Sequence, residues 1–205
     1  MTAILAGGAR AVAHATEGAE DNAAEGKKAI RHLQVDGRDF VCGISASSST
    51  RFVLAALREA RRRKATTALV CCNDSATARK AADLVLLAET GPELIAGSTR
   101  LKAGTATKLI LNAVSTAAFV SLGRVYRGRM VNVKPSSQKL RTRAQNTIAE
   151  LANVSPSRAR ALLRHAGGRV QLAIAMHLTG LPPDAARLAL DTHDLRRLEI
   201  LAARR

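Results

Sequence analysis

Apolar and polar positions along the chain follow two periods in turn. Asp39-Phe40-Val41-Cys42-Gly43-Ile44, Thr66 to Cys72 and Leu84-Val85-Leu86-Leu87 are short apolar runs bounded by small polar residues. Their length and flanks predict buried strands. Between them, Phe52 to Arg63 sets Val53, Leu54 and Leu57 on one helical face, and Ala76 to Ala82 predicts a further helix. Residues 10–33 carry helical spacing with a polar break at Glu17-Gly18-Ala19-Glu20-Asp21. Strands alternating with helices predict an α/β fold whose parallel sheet is covered on both faces. Ligands in such folds gather beyond the carboxyl ends of the strands.

The pattern changes further on. Gly91 to Lys102 is a polar loop, and a long helix is predicted from about Ala103 to Leu122, before Gly123. Beyond Pro135 everything reads as helix. Ser136 to Ala152 comes first, and the next helix opens on Ser155-Pro156 and stops at Gly167-Gly168. Two short helices follow at about 169–178 and 183–190, the second behind Pro182-Pro183-Asp184. The expected division is an α/β domain over 1–134 and an all-helical module over 135–205. That module resembles a small ubiquitin-associated-type bundle, and its plainest role is packing or dimerisation.

Composition narrows the picture. The chain has 205 residues, 47% of them hydrophobic, enough for a core of its own. Aromatics are Phe40, Phe52, Phe119 and Tyr126 alone, so that core is aliphatic and no stacking platform for single strands is expected. The net charge is +16. Such a field suits nucleic acid, anionic lipid or a small anionic substrate. The Arg61-Arg62-Arg63-Lys64 run, however, closes a predicted helix, where cations meet the negative end of the macrodipole. No nucleic-acid-binding motif is present, and no nucleic-acid partner is expected. Cys42, Cys71 and Cys72 all fall in predicted strands, which speaks against a disulfide framework and for a reducing compartment. No Cys/His spacing suits a metal, and no cofactor is implied. No signal-like start and no uninterrupted spanning stretch occur, so a cytoplasmic protein without a membrane partner is expected.

Three segments carry candidate chemistry. Ser45-Ala46-Ser47-Ser48-Ser49-Thr50 lies between a predicted strand and a helix. It suits a phosphate held by helix amides and hydroxyls, and equally a serine-rich turn with an N-cap. Gly91 to Lys108 combines Glu93 with Ser98, Thr99, Arg100 and Lys102 at a helix start. Cations there answer a phosphate, hydroxyls hydrogen-bond, and a carboxylate accepts from sugar hydroxyls. The third is Glu17 to Asp21, which on its own reads as helix-end carboxylates.

The stretch Gly91-Pro92-Glu93-Leu94-Ile95-Ala96-Gly97-Ser98-Thr99-Arg100-Leu101-Lys102-Ala103-Gly104-Thr105-Ala106-Thr107-Lys108 resembles the signature shared by the N-acetylmuramic acid 6-phosphate etherases and the glucokinase regulatory protein. Ala6-Gly7-Gly8 with Glu17 to Asp21, Leu109 to Thr116, Leu122 to Tyr126 and Met130-Val131-Asn132-Val133 are similar to the same family. The resemblance covers nearly the whole chain. It implies a sugar-isomerase-like (SIS) parallel-sheet domain, a cytoplasmic homodimer, and a sugar phosphate as the small-molecule partner. It also implies lyase chemistry: D-lactate is eliminated across C2–C3 of the phosphorylated muramic sugar, and water then adds to give N-acetylglucosamine 6-phosphate. Such a step needs a base for a weakly acidic C–H and an acid for the leaving alkoxide. By resemblance Glu20 is one of that pair, while Ser47, Thr50, Ser98, Thr99, Arg100 and Lys102 line the sugar-phosphate site and Glu93 meets its hydroxyls.

Two departures from the family pattern accompany these matches. Family members carry, before the position matching Met1, a first strand, a glycine/serine phosphate loop and the other catalytic glutamate in a Glu-Cys-Pro-Pro context. None of these occurs here, so an N-terminally incomplete domain opening on the strand before the Glu20 helix is expected. The family loop Ala-Ser-Gly-Arg-Thr-Pro-Tyr is here Ala46-Ser47-Ser48-Ser49-Thr50-Arg51-Phe52. A glycine and a cation are thereby exchanged for serines. The alternative that these losses leave open is a non-catalytic sugar-phosphate-binding regulatory module.

Overall fold

The computed structural model describes residues 1–204. The chain forms two compact units, Met1–Ala113 and Val114–Arg205.

The first unit is built on three parallel strands in the order β1 (Phe40–Ile44), β2 (Thr66–Cys71) and β3 (Leu84–Leu87). Register runs Phe40 opposite Thr66 and Ala68 opposite Leu84. The connecting helices are α2 (Arg51–Arg62) and α3 (Ala76–Ala81). Both pack on one face: Leu54 and Leu57 of α2, with Ala78 and Ala81 of α3, bury Leu69 and Cys71 alongside Val41 and Val85. On the opposite pleat Phe40, Ile44 and Leu84 are exposed. Ala68 and Val70 of the central strand, on that same opposite pleat, are buried, while α1, α2 and α3 lie on the other side.

Preceding β1, α1 (Ala23–His32) is capped by Asn22, whose side chain accepts from the Glu25 amide at 3.0 Å. It lies along α2 in the same direction: Gly26 abuts Phe52, Arg31 pairs with Glu59 at 2.9 Å, and Arg63 donates to the Val35 carbonyl. Contact at Gly26 is so close that a Cβ there would meet the Phe52 backbone. Upstream, the helical spacing expected over residues 10–33 resolves into two short 3₁₀ turns, Ala9–Val12 and Ala19–Asp21, before α1 begins. Residues 1–5 form no strand, so the expected opening strand is not made by this segment.

Helix α4 (Lys102–Ser121) is 20 residues long and runs through the boundary between the units. Ala103 is its one buried residue among those described. By length and mean hydropathy it could cross a membrane, but Lys108, Asn112, Ser115 and Thr116 interrupt its apolar surface.

Among the described residues, the second unit holds a two-stranded antiparallel hairpin, β4 (Val125–Tyr126) and β5 (Arg129–Met130), and five helices. The helices are α5 (Gln138–Ala152), α6 (Pro156–His165), α7 (Val170–Thr179), α8 (Pro183–Thr192) and α9 (Leu195–Ala202). Ser137, Ser155 and Asp194 cap α5, α6 and α9 by accepting backbone amides three residues on. Tyr126 and Val131 enter the same core as Ile148, Leu162, Ile174 and Leu195. The Gln171 amide further donates to the Val131 carbonyl at 3.1 Å. The stretch around residues 123–134 thus packs with the helices that follow it. The two compact units meet within α4, between Ala113 and Val114.

Candidate functional site

The carboxyl ends of β1 and β2 carry the serine loop. Leaving β1, the Ser45 amide donates to the Val70 carbonyl at 3.0 Å, which keeps the chain beside β2 for one residue more. The buried Ser45 hydroxyl then donates to Thr50 Oγ1 at 2.8 Å and accepts from the Thr50 amide at 3.3 Å, closing the loop on itself. Ser48 is 1% exposed and donates to Ser75 Oγ at 3.0 Å, while Ser75 caps α3 by accepting from the Ala78 amide. This ties the loop after β1 to the turn after β2. Ser47 and Ser49 point outward, with hydroxyls 2.9 Å apart. Thr50 precedes α2 but makes no side-chain cap, so the first amides of α2 receive nothing from it. Exposed hydroxyls beside uncapped helix amides form an anion-binding arrangement.

Ser48 has φ of +59°, in the left-handed region. An L-residue pays about 1 kcal/mol or more there, whereas glycine adopts it freely. The loop therefore keeps a glycine-type backbone with a serine in place. The Ser48–Ser75 hydrogen bond offsets part of that cost.

The second segment meets the same end of the sheet. The Cys72 amide donates to the Ala46 carbonyl at 3.0 Å, and its thiol lies 3.9 Å from the Ala103 carbonyl. The start of α4 is thereby placed beside the end of β2. Glu93 fixes it there: one carboxylate oxygen accepts from the Lys102 amide and the other from the Ala103 amide, both at 3.0 Å. These amide hydrogen bonds, Ala103 first and then Lys102, hold the Glu93 carboxyl below its ordinary range. Besides the sugar-hydroxyl role expected from sequence, Glu93 caps α4 from nine residues upstream. Thr99, Arg100 and Lys102 are exposed and Ser98 is half-buried, all on the loop that this cap ties down.

Glu20 is exposed in the 3₁₀ turn Ala19–Asp21. That turn packs against α2. Because α1 and α2 run the same way, with Gly26 already level with Phe52, a residue before Gly26 falls at the amino-terminal end of α2. Glu20, the Ser47–Thr50 loop and the Glu93–Lys102 loop thus gather at one end of the first unit. Ser45 and Ser75 are the members that sequence reading missed. Ser75 had a legible signal, as an N-cap after Asn73-Asp74, but nothing local tied it to Ser48. Among the described residues no group of histidines, cysteines or carboxylates could hold a metal ion.

The sequence profile described as the glucokinase regulatory protein N-terminal SIS domain matches residues 1–61, which hold Glu20, β1, the serine loop and most of α2. Several curated proteins named N-acetylmuramic acid 6-phosphate etherase are similar over much more of the chain. That of Halalkalibacterium halodurans is 43% identical over 188 residues, 92% of this chain and 63% of its own length. The protein of Trichormus variabilis is 43% identical over 200 residues, 98% of this chain and 65% of its own. In Synechocystis the figures are 44% over 190 residues, 93% and 62%. The chain spans just under two thirds of the length of these relatives.

Proposed function

We propose that this chain, a homologue of the N-acetylmuramic acid 6-phosphate etherases along nearly all its length, binds a phosphorylated amino sugar at the carboxyl end of its parallel sheet and takes part in cleaving its lactyl ether. The observation that carries this reading is 42–44% identity over 92–98% of the chain to proteins of that name. In this reading the uncapped amides of α2, with the hydroxyls of Ser47 and Thr50, take the phosphate. Ser98, Thr99, Arg100 and Lys102 close on it from the second loop, and Glu93 holds that loop in place while facing the sugar hydroxyls.

Glu20 is the acid–base group of the proposed reaction, moving a proton at the C2–C3 bond as D-lactate departs. A carboxylate suits the task because one partner must accept a carbon-bound proton and one must supply a proton to the leaving oxygen, and loss of either costs ~10²–10⁴-fold. The activity is that of a carbon–oxygen lyase in amino-sugar catabolism and peptidoglycan recycling, in the cytoplasm. The proposed assembly is a homodimer, supported by the apolar residues that α4 exposes, Leu109 and Phe119 among them. Light scattering should then give twice the 21.6 kDa chain mass.

The test is release of D-lactate from N-acetylmuramic acid 6-phosphate. The purified chain should release it, and Glu20→Ala should abolish release while leaving sugar-phosphate binding intact. Release that survives Glu20→Ala refutes the role of Glu20. The match of residues 1–61 to the glucokinase regulatory protein domain favours a second reading, a non-catalytic sugar-phosphate-binding module. Saturable binding of N-acetylglucosamine 6-phosphate with no lactate release would select it.

A further inference from the structure

The charge of the chain is unevenly placed. Residues 114–205 carry 16 Lys and Arg against 5 Asp and Glu, so the second unit holds +11 of the total +16. Within that unit a cavity of about 490 Å³ opens between β5 and one face of α5. Lys139, Arg143, Asn146 and Glu150 recur on α5 at intervals of four, three and four residues, which is a single helical stripe. Arg129 faces them from β5 and lays its guanidinium across both oxygens of Glu150, at 2.8 Å each. The one carboxylate of the groove is thereby neutralised. Lys139 and Arg143 have no carboxylate partner among the described residues. Thr142 donates to the Gln138 carbonyl at 3.2 Å, so its proton is committed to the helix. The donors left for a ligand include the Lys139 ammonium, the Arg143 guanidinium, the Asn146 amide and the Thr147 hydroxyl.

We propose that this groove is a second anion site, recognising a phosphomonoester on a small molecule. Its volume falls in the range of small-molecule pockets, ~300–1,000 Å³. Arginine presents a planar fork of donors that matches phosphate oxygens, and lysine adds a point charge. No aromatic side chain lines the groove, so it offers no surface on which nucleic-acid bases could stack. The site lies wholly within the second unit and is independent of the sugar-phosphate reading of the first.

The test follows the amide resonances of α5 in the full chain by two-dimensional NMR while inorganic phosphate is titrated at constant ionic strength. Glucosamine 6-phosphate and glucosamine form two further arms that separate the phosphate from the sugar. Saturable shifts between Lys139 and Glu150 are expected with phosphate and with glucosamine 6-phosphate, and none with glucosamine. Lys139→Ala combined with Arg143→Ala should weaken binding by ~10-fold or more, since two charge-assisted contacts at an exposed site are lost. Ser47→Ala with Thr50→Ala should leave these shifts unchanged, which separates failure here from failure at the first site. Shifts that fail to saturate, that persist in the double variant, or that chloride reproduces at equal ionic strength would overturn the proposal.

Discussion

Replacing Gly26 by alanine should destabilise the first unit, although alanine is the better helix former. In isolation the exchange favours a helix by about 1 kcal/mol. In α1, however, the added Cβ would lie 3.1 Å from the Phe52 carbonyl carbon and 3.3 Å from its Cα, with the carbonyl oxygen closer still. These are backbone atoms of α2, so no rotamer change relieves the overlap. The two helices must move apart, and they carry Ile30, Ala56 and Ala60 in one shared core cluster. Overpacking of that kind costs ~1–3 kcal/mol, and a backbone obstacle belongs at the upper end. The net loss is then about 2 kcal/mol, which for a urea slope of ~1–3 kcal/mol/M lowers the midpoint by about 1 M. Gly104→Ala is the control. It lies inside α4, and its nearest neighbour, the Thr99 carbonyl oxygen, is 3.5 Å from the added carbon. That contact is ordinary, so only the helix preference remains and stability should rise by ~0.5–1 kcal/mol. Urea unfolding followed by far-ultraviolet circular dichroism checks both. A Gly26→Ala midpoint equal to or above that of the parent would refute the argument from close helix approach.

Three more outcomes are expected. Glu59 is 4% exposed, and hydrogen bonds from Arg62 and then Arg31 hold its carboxyl well below the usual carboxylate range. A depressed carboxylate adds stability above its unfolded pKa of ~4.3 and loses it as pH falls below that value. Glu59→Gln should therefore lower Tm at pH 7 and flatten its fall between pH 5 and pH 3; parallel curves for the two proteins would count against this. Glu93→Ala should speed amide hydrogen exchange at Lys102 and Ala103, because it removes both acceptors, and unchanged protection there would dismiss the cap. Tyr126→Phe should leave stability equal or raise it by up to ~1 kcal/mol, because the phenol oxygen is buried without a hydrogen-bond partner among the described residues. Burial first, and the Glu199 carboxylate second, push the Tyr126 phenol up to about 12. Stability of the parent should therefore decline as pH rises through ~10 toward that value, and the variant should lack this decline.

Much of the fold was legible because periodicity reports burial. The strands at Phe40–Ile44, Thr66–Cys71 and Leu84–Leu87 and the helices α2 to α8 lie within a few residues of their expected positions. The hairpin at Val125–Met130 was not legible. Its strands are two residues each, too short for a period, and its turn is Arg127-Gly128. Both turn residues have positive φ, +46° and +73°, the geometry for which Asn-Gly is the usual signal. Helix α9 was missed because its eight residues follow α8 after only His193 and Asp194. In the candidate site, sequence identified the hydroxyl-rich and cation-rich loops but not what each residue holds. That Glu93 also caps α4, nine residues downstream, was not legible, since nothing local announces such a contact. Ser45 and Ser75 escaped notice because their partners, Thr50 and Ser48, depend on how the loops fold.

The placing of the single tyrosine has an experimental consequence. The chain has no tryptophan, and Tyr126 is its one tyrosine, so intrinsic fluorescence above the phenylalanine background comes from one ring. That ring is buried in the core of the second unit, beneath the Arg127 guanidinium at 5.5 Å. Its emission is consequently a private reporter for that unit, silent on the three-stranded parallel sheet of the first. Far-ultraviolet dichroism, by contrast, registers the backbone of both. Recording the two signals on one denaturation sample turns the lack of aromatics into a measurement of cooperativity. Superimposed curves mean that the halves melt together, and separated curves give each half its own transition.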